Sequence, residues 1–366
     1  MKLLVMGNNG HLGGLSVHYT TLVAYLAREK DIELFCININ DKGEKIFNNN
    51  GVREIVVPFQ PTSLINKVKK AIKLYIAARE AKKFAPDVFV AASLGYGFAM
   101  MASKLPSSVY KIFEEVHFEA TADKLRMKML KEFDAVATQT QGMAIPFKAN
   151  VSSAKPVFFL PCFSKEYDAL GFKPIPAVGK TLKLAYFGRL AWNKGVKEFI
   201  NFTAPVFREN RNIQFDIYGG GPEKASIQQE IDDLQLGSQI TLKGFYSDEE
   251  FPELIATYHA VMLPSIATEG LPLILIEAMR FGRPVFTTTT GAMPEVGEVN
   301  KEGMIVSLKD RESMEASFGN FITSLKNNKF DAGYINNIYE NYFSNHAFKD
   351  IWMKMLHDPQ GYFANK

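Results

Sequence analysis

The sequence predicts an α/β protein built from two Rossmann-like, doubly wound domains facing a central cleft. Three observations carry that expectation. The chain has 366 residues, too long for one ordinary core and enough for two. Strand-like and helix-like segments alternate in two separate series, the pattern of parallel sheets covered on both faces. Between the series the periodicity stops at Phe172-Lys173-Pro174-Ile175-Pro176-Ala177-Val178-Gly179-Lys180, a proline- and glycine-bearing stretch. Ligands of such sheets sit outside the C-terminal strand edges, so a cleft between two of them is where a site is expected.

The first series opens with a strand over 2–7, Lys-Leu-Leu-Val-Met-Gly. A glycine-rich turn, Asn8-Asn9-Gly10-His11-Leu12-Gly13-Gly14, leads into a helix to about Arg28. Strands follow at 33–39 and 53–57. Residues 63–83 read as a helix, with Leu64, Ile65, Val68, Ile72, Tyr75 and Ile76 at helical spacing. Strands at 87–92, 109–113, 135–138 and 157–160 complete the first domain, set at 1–165, and 166–181 is the linker. The second series has strands at 182–187, 213–218, 240–243, 259–263, 284–289 and 304–306. Helices are expected at 197–208, after Gly219-Gly220-Gly221-Pro222 to about 234, from Pro272 to Phe281, at 311–326 and at 331–356. Pro272 suits a first helical turn and Gly282 a helix C-terminus. The second domain spans 182–340.

Composition narrows the class. Hydrophobic residues make up 47% and charged residues 22%, as in soluble globular proteins. Cys36 and Cys162 lie far apart with no metal-ligand spacing, which predicts a reducing, cytoplasmic setting. The apolar part of the N-terminus is too short for a signal peptide, and no run approaches the ~20 apolar residues of a spanning helix. The net charge of +3 is uneven. Residues 1–170 hold 22 basic and 16 acidic side chains, the remainder 20 and 23. A basic first half fits a membrane surface, an acidic acceptor or no partner at all. No nucleic-acid partner is expected. Residues 63–83 combine an apolar stripe with Lys67, Lys69, Lys70, Lys73, Lys82 and Lys83, as interfacial helices do, which predicts weak, salt-sensitive contact with an anionic membrane surface. Packing of that stripe on the sheet is the alternative.

The most informative stretch is Leu263-Pro264-Ser265-Ile266-Ala267-Thr268-Glu269-Gly270-Leu271-Pro272, running on through Leu273-Ile274-Leu275-Ile276-Glu277-Ala278-Met279. It reads as strand, loop and helix, with one carboxylate in the loop and another inside the helix. Glu277 follows Glu269 by eight positions, about 12 Å along a helix at ~1.5 Å per residue. The ribose and hexose of a nucleotide sugar are a similar distance apart, and a carboxylate suits a vicinal diol. The helix N-terminus between them offers N–H groups to a phosphate. Glu277 follows the apolar run Leu273 to Ile276, a setting in which a carboxylate needs partners. Solvated, incidental carboxylates are the plain alternative.

Other motifs sit at strand ends. Gly13-Gly14 permits close backbone approach to a phosphate or sugar but does not meet G-x-G-x-x-G, and a plain tight turn also explains it. Gly188-Arg189-Leu190-Ala191-Trp192-Asn193-Lys194-Gly195 puts two cations in one strand-to-helix loop, a common pair for a diphosphate. Gly219 to Pro222 makes a second glycine turn at that edge. His117 follows a first-domain strand, where either a structural or a site role is open. Asp232-Asp233 is not a D-x-D motif, and no aspartate arrangement suits a divalent ion.

Taken together, Gly188-Arg189 with Lys194-Gly195, Tyr218-Gly219-Gly220-Gly221-Pro222, Pro264-Ser265 with Glu269-Gly270 and Glu277-Ala278, and Gly291-Ala292-Met293-Pro294-Glu295 resemble the GT-B retaining glycosyltransferases of family 4. The resemblance covers about 182–300 and extends more thinly to the first domain through Gly13-Gly14 and His117. It implies a sugar transfer from a UDP- or GDP-sugar to a glycan or lipid-linked acceptor in bacterial surface polysaccharide or glycoconjugate synthesis. It implies ribose at Glu277, the transferred sugar at Glu269 with His117 nearby, and the diphosphate at Arg189 and Lys194. Gly13, Gly14, Gly188, Gly219, Gly220, Gly270 and Leu271 join Glu277 as substrate-binding positions. It also implies that the last helix, about 341–366, packs back on the first domain. The reaction is expected to need no cofactor and no metal, with the leaving phosphate taking the acceptor proton. A glutamate nucleophile is not expected, because a glycosidase pair flanks one bond at ~5–9.5 Å. The implied place is the cytoplasm, at the inner face of the plasma membrane. A non-catalytic scaffold of the same fold, or a GT-B epimerase or phosphorylase, remains as an alternative.

Overall fold

The structure, a computed structural model, describes residues 1–8, 14–40, 44–47, 51–58, 63–92, 95–115, 124–140, 142–144, 156–167, 172–267 and 269–364. The chain divides into two compact units, Met1–Glu166 with Asn345–Lys366, and Tyr167–Ser344.

The first unit holds a seven-stranded sheet in which every described pairing is parallel. Its strands are β1 (Lys2–Asn8), β2 (Glu33–Ile39), β3 (Arg53–Val57), β4 (Val88–Ala91), β5 (Tyr110–Glu115), β6 (Ala135–Thr138) and β7 (Val157–Phe159). They lie in the order β3-β2-β1-β4-β5-β6-β7, so the order reverses between β1 and β4. Near-continuous apolar strands are what a sheet covered on both faces requires. Leu4, Phe35, Ile37, Phe89 and Phe113 accordingly form the core with Ala77, Ala81 and Met101 from flanking helices. Ala77 and Ala81 come from α2 (Leu64–Phe84) and Met101 from the helix Tyr96–Lys104, while α1 (Gly14–Leu26) follows β1.

The second unit repeats the plan with six strands: β8 (Leu182–Phe187), β9 (Ile213–Tyr218), β10 (Ile240–Gly244), β11 (Ala260–Leu263), β12 (Val285–Thr288) and β13 (Met304–Ser307). Their order is β10-β9-β8-β11-β12-β13, all parallel, and the reversal falls between β8 and β11. Its core is aromatic, with Phe199, Phe207, Phe215, Phe286, Phe318 and Phe321 in mutual ring contact.

Several expectations need correcting. The stretch expected as a linker is in its described C-terminal part packed into the second unit. Arg283, fully buried, donates to the carbonyls of Pro174 (2.9 Å), Tyr258 (3.1 Å) and Phe281 (2.9 Å), and to that of Lys173. His259 ties down Ala177 and the start of β8. The single helix expected over 331–356 is broken into Ala332–Ile338, a π-helical turn Tyr339–Phe343 and Asn345–His357. The break is at Ser344, which is extended. Asn345 there exchanges two hydrogen bonds with the Ser164 backbone, of 2.9 and 2.8 Å, which a continuous helix would forfeit. Short helices at Tyr96–Lys104, Lys124–Leu130, Phe251–Ala256 and Met293–Val299 were not anticipated, and Pro359–Ala364 is a separate short helix within the 341–366 expected as one. Among the described residues no helix is long and apolar enough to cross a membrane.

Candidate functional site

Strand order decides what meets in the second unit. β8 and β11 are neighbours at the reversal point, so the loops after them, 188–195 and 264–272, emerge side by side at the C-terminal edge. This is the crevice in which open α/β sheets bind ligands. The Ile266 N–H donates to Asn193 O at 3.1 Å and the Ala267 N–H to the same oxygen at 3.3 Å, stitching the loops together. Lys194 ends a 3₁₀ turn, Trp192–Lys194, and reaches Glu269 with Nζ to Oε2 at 2.6 Å. The other carboxylate oxygen accepts from the Ser265 hydroxyl. Ser265 is fully buried, and its carbonyl accepts from Thr288 and Thr290 at the end of β12. Glu269 is thus fixed by a cation and a buried hydroxyl, with 11% of its side chain exposed.

A glycine keeps that loop in place. Gly291 has φ +52°, and a Cβ there would overlap the Glu269 backbone. Gly219, with φ +123°, packs the same way on the Gly188 carbonyl, so those two expected positions form one close backbone contact. Arg189 is exposed, and its side chain makes no ion pair among the described residues. The two cations of this loop therefore differ, one engaged on a carboxylate and one open.

Glu277 lies inside the helix Leu273–Arg280, whose first residue follows Pro272 as N-cap. The Tyr167 hydroxyl donates to Glu277 Oε1 at 3.0 Å. Burial, and next the Glu277 carboxylate, push the Tyr167 phenol above its ordinary range, so it stays a donor. Arg280 completes the arrangement, donating to Tyr167 O at 2.8 Å with its guanidinium 5.5 Å from the ring centroid. Leu271 is buried and Gly270 half-buried between the two glutamates.

Sequence reasoning missed Ser265 as a contributor, along with Tyr167 and Arg280. Ser265 stands four residues before Glu269 in a loop, a spacing that could have suggested it. Tyr167 fell in the supposed linker and carried no signal.

In the first unit Gly14 is exposed at the start of α1. Gly13 and His117 lie outside the described residues. Four residues into α1, His18 is fully buried with Nε2 2.7 Å from Glu114 Oε1, while its Nδ1 accepts the Phe163 N–H at 2.8 Å. That second contact reserves the Nδ1 lone pair, so the imidazole proton sits on Nε2, toward the carboxylate.

Residues 172–340, nearly the whole second unit, match the family described as glycosyl transferases group 1. That match lies wholly within the second unit. All the expected site positions from Gly188 to Glu277 fall inside the glycosyl transferases group 1 match, and Gly14 falls outside it. The chain is 32% identical to an alpha-D-kanosaminyltransferase of Streptomyces kanamyceticus over 121 residues, 33% of this chain and 31% of that protein. It is 24% identical to the amylovoran biosynthesis glycosyltransferase AmsK of Erwinia amylovora over 257 residues, 66% of this chain and 62% of the relative. The alignments thus span less than two thirds of either relative's length. Among solved structures, Anabaena Alr3699/HepE in complex with UDP and glucose superposes with a TM-score of 0.75 at 15% identity, covering 98% of this chain and all of that one. At that identity the likeness shows the fold, which is GT-B, two doubly wound units in one chain.

Proposed function

We propose that this protein is a retaining glycosyltransferase that moves a sugar from a UDP- or GDP-sugar to a glycan or lipid-linked acceptor in bacterial polysaccharide or glycoconjugate synthesis. One observation carries the reading. At the sheet's reversal point a cation–carboxylate–hydroxyl set, Lys194, Glu269 and Ser265, is followed eight residues later by a second supported carboxylate, Glu277. Glu277 binds the donor ribose, and Glu269 the hexose hydroxyls. Lys194 has three N–H donors, so it holds Glu269 and a phosphate oxygen together. Arg189, open to solvent, swings onto the diphosphate. Leaving-group departure builds negative charge on the nucleoside diphosphate, and these two cations stabilise that charge as it grows. No metal is required on this reading, and the phosphate takes the acceptor proton.

The test is calorimetric titration with UDP and GDP, each with and without a chelator, followed by donor consumption against glycan and lipid-linked acceptors. One nucleotide is expected to bind with chelator present, and its sugar conjugate to be consumed only with an acceptor, with the anomeric configuration kept. Binding that vanishes with chelator would remove the metal-free step. Failure of both nucleotides to bind would remove the reading.

A further inference from the structure

Helix α2 runs 21 residues, about 31 Å at ~1.5 Å per residue. Its core-facing side is short. Leu74 packs against the core, and Ala77, Ala78, Ala81 and Phe84 are buried, all in the second half. An ordinary surface helix has this one apolar stripe and a polar outer face. This helix has a second stripe. Leu64, Ile65, Val68, Ile72, Tyr75 and Ile76 are 77, 67, 53, 53, 70 and 48% exposed. At ~100° per residue they cluster on one side, roughly 160° round from the core-facing set. They point away from the sheet, so the alternative of packing on it does not describe them.

The charges on the same helix are one-sided. Its sequence holds seven basic residues, Lys67, Lys69, Lys70, Lys73, Arg79, Lys82 and Lys83, against one acid, Glu80. Glu80 is already engaged by Arg53 and Lys83. Helical spacing puts Arg79, Lys82 and Lys83 on the continuation of the outer stripe, and Lys69 and Lys73 along its border. A flat apolar stripe bordered by long basic side chains suits an interface of acyl chains and anionic headgroups, with the lysine stems lying along the apolar zone. Two copies meeting through this face would oppose like charges, which disfavours a dimer.

We propose that the outer face of α2 docks this protein on an anionic lipid bilayer. The inference stands apart from the chemistry of the second unit. It is tested with the full chain by co-sedimentation with vesicles of phosphatidylcholine alone and of phosphatidylcholine with one quarter phosphatidylglycerol. One variant, Ile65→Asp with Ile72→Asp, removes apolar contact. Another, Lys69→Glu with Arg79→Glu and Lys82→Glu, reverses charge. These side chains are exposed, so both variants should melt with the wild type and bind nucleotide unchanged. Expected are binding to the anionic vesicles at least tenfold above the neutral ones, weakening in high salt, and at least a tenfold loss in each variant. Each basic residue near such a surface contributes about fivefold. No binding to anionic vesicles, or binding that both variants keep, overturns the proposal. So does light scattering that shows a dimer abolished by the Ile65/Ile72 variant without vesicle binding, since a second copy would then cover the face.

Discussion

Lys194 and Glu269, 75 residues apart in sequence, form a 2.6 Å ion pair at the point where the second sheet reverses its strand order. The pair is largely shielded, with 24% and 11% of the two side chains exposed. Its members should therefore not behave independently. In a double-mutant cycle of Lys194→Ala and Glu269→Ala, denaturation should show a coupling of about 1–2 kcal/mol. Strict additivity would mean that solvent screens the pair completely.

The two glutamates should separate by ligand. Glu277→Ala should weaken binding of the bare nucleoside diphosphate by more than tenfold, since a charged hydrogen bond contributes about 1.5–3 kcal/mol. Glu269→Ala should leave that binding nearly intact and instead slow turnover of the full donor. Tyr167→Phe removes the donor at 3.0 Å from Glu277 and should cost the bare diphosphate a few-fold. Equal losses for Glu269→Ala and Glu277→Ala would refute the assignment of hexose to one and ribose to the other.

Acid should weaken the second unit through His259. Its Nδ1 accepts the Lys183 N–H at 3.0 Å, and burial lowers its pKa, the carbonyls of Ala177 and Lys183 offsetting part of the effect. The folded value then lies below the ordinary ~6.5 of the unfolded chain. Under pH 6.5 the unfolded chain gains a proton that the folded unit refuses, so stability is full above that value and falls as pH drops toward the folded one. Urea melts at pH 7.5 and 5.0 should show the fall, and His259→Gln should flatten it. Parallel slopes for the two proteins would exclude His259 as the cause.

Arg283 offers a stability test away from the proposed chemistry. Arg283→Met strands carbonyls of Lys173, Pro174, Tyr258 and Phe281 that its guanidinium now satisfies. Each buried polar group left without a partner costs about 1–3 kcal/mol, so a total loss of at least ~3 kcal/mol is expected in denaturant. Arg283→Lys should recover little, because one ammonium cannot reproduce the planar fork. A loss under ~1 kcal/mol would show that water replaces the side chain.

Strands were the most legible part of the fold. Those at 33–39, 53–57, 135–138, 182–187 and 213–218 match the expected ranges residue for residue, because a strand buried throughout, such as 135–138, announces itself in composition and one such as 213–218 in its period-2 alternation. Helices Phe251–Ala256 and Met293–Val299 were not legible. Six or seven residues are too few for a periodicity, and each carries a proline at its second position that reads as a loop. The break at Ser344 has no glycine or proline to mark it and comes from a side chain 181 residues from its partner. At the site, the spacing of Glu269 and Glu277 was visible, as were the cations Arg189 and Lys194. The engagement of Lys194 by Glu269 was not, since it depends on strand order. Arg189 and Lys194 look equivalent in sequence, and only the fold distinguishes them.

The first unit is not continuous along the chain. Its body ends at Glu166 and resumes at Asn345, with the whole second unit in between. Trp352, fully buried, donates from Nε1 to Pro161 O at 2.9 Å and packs near Phe163 and His18. During synthesis, then, the segment before Glu166 waits for the segment after Asn345. The second unit has all its strands in one run and is able to close while the ribosome is still adding residues. The surface around Phe163 stays uncovered until Trp352 has emerged, a delay of nearly two hundred residues during which the nascent chain carries the kind of apolar surface that makes incomplete folds prone to aggregate.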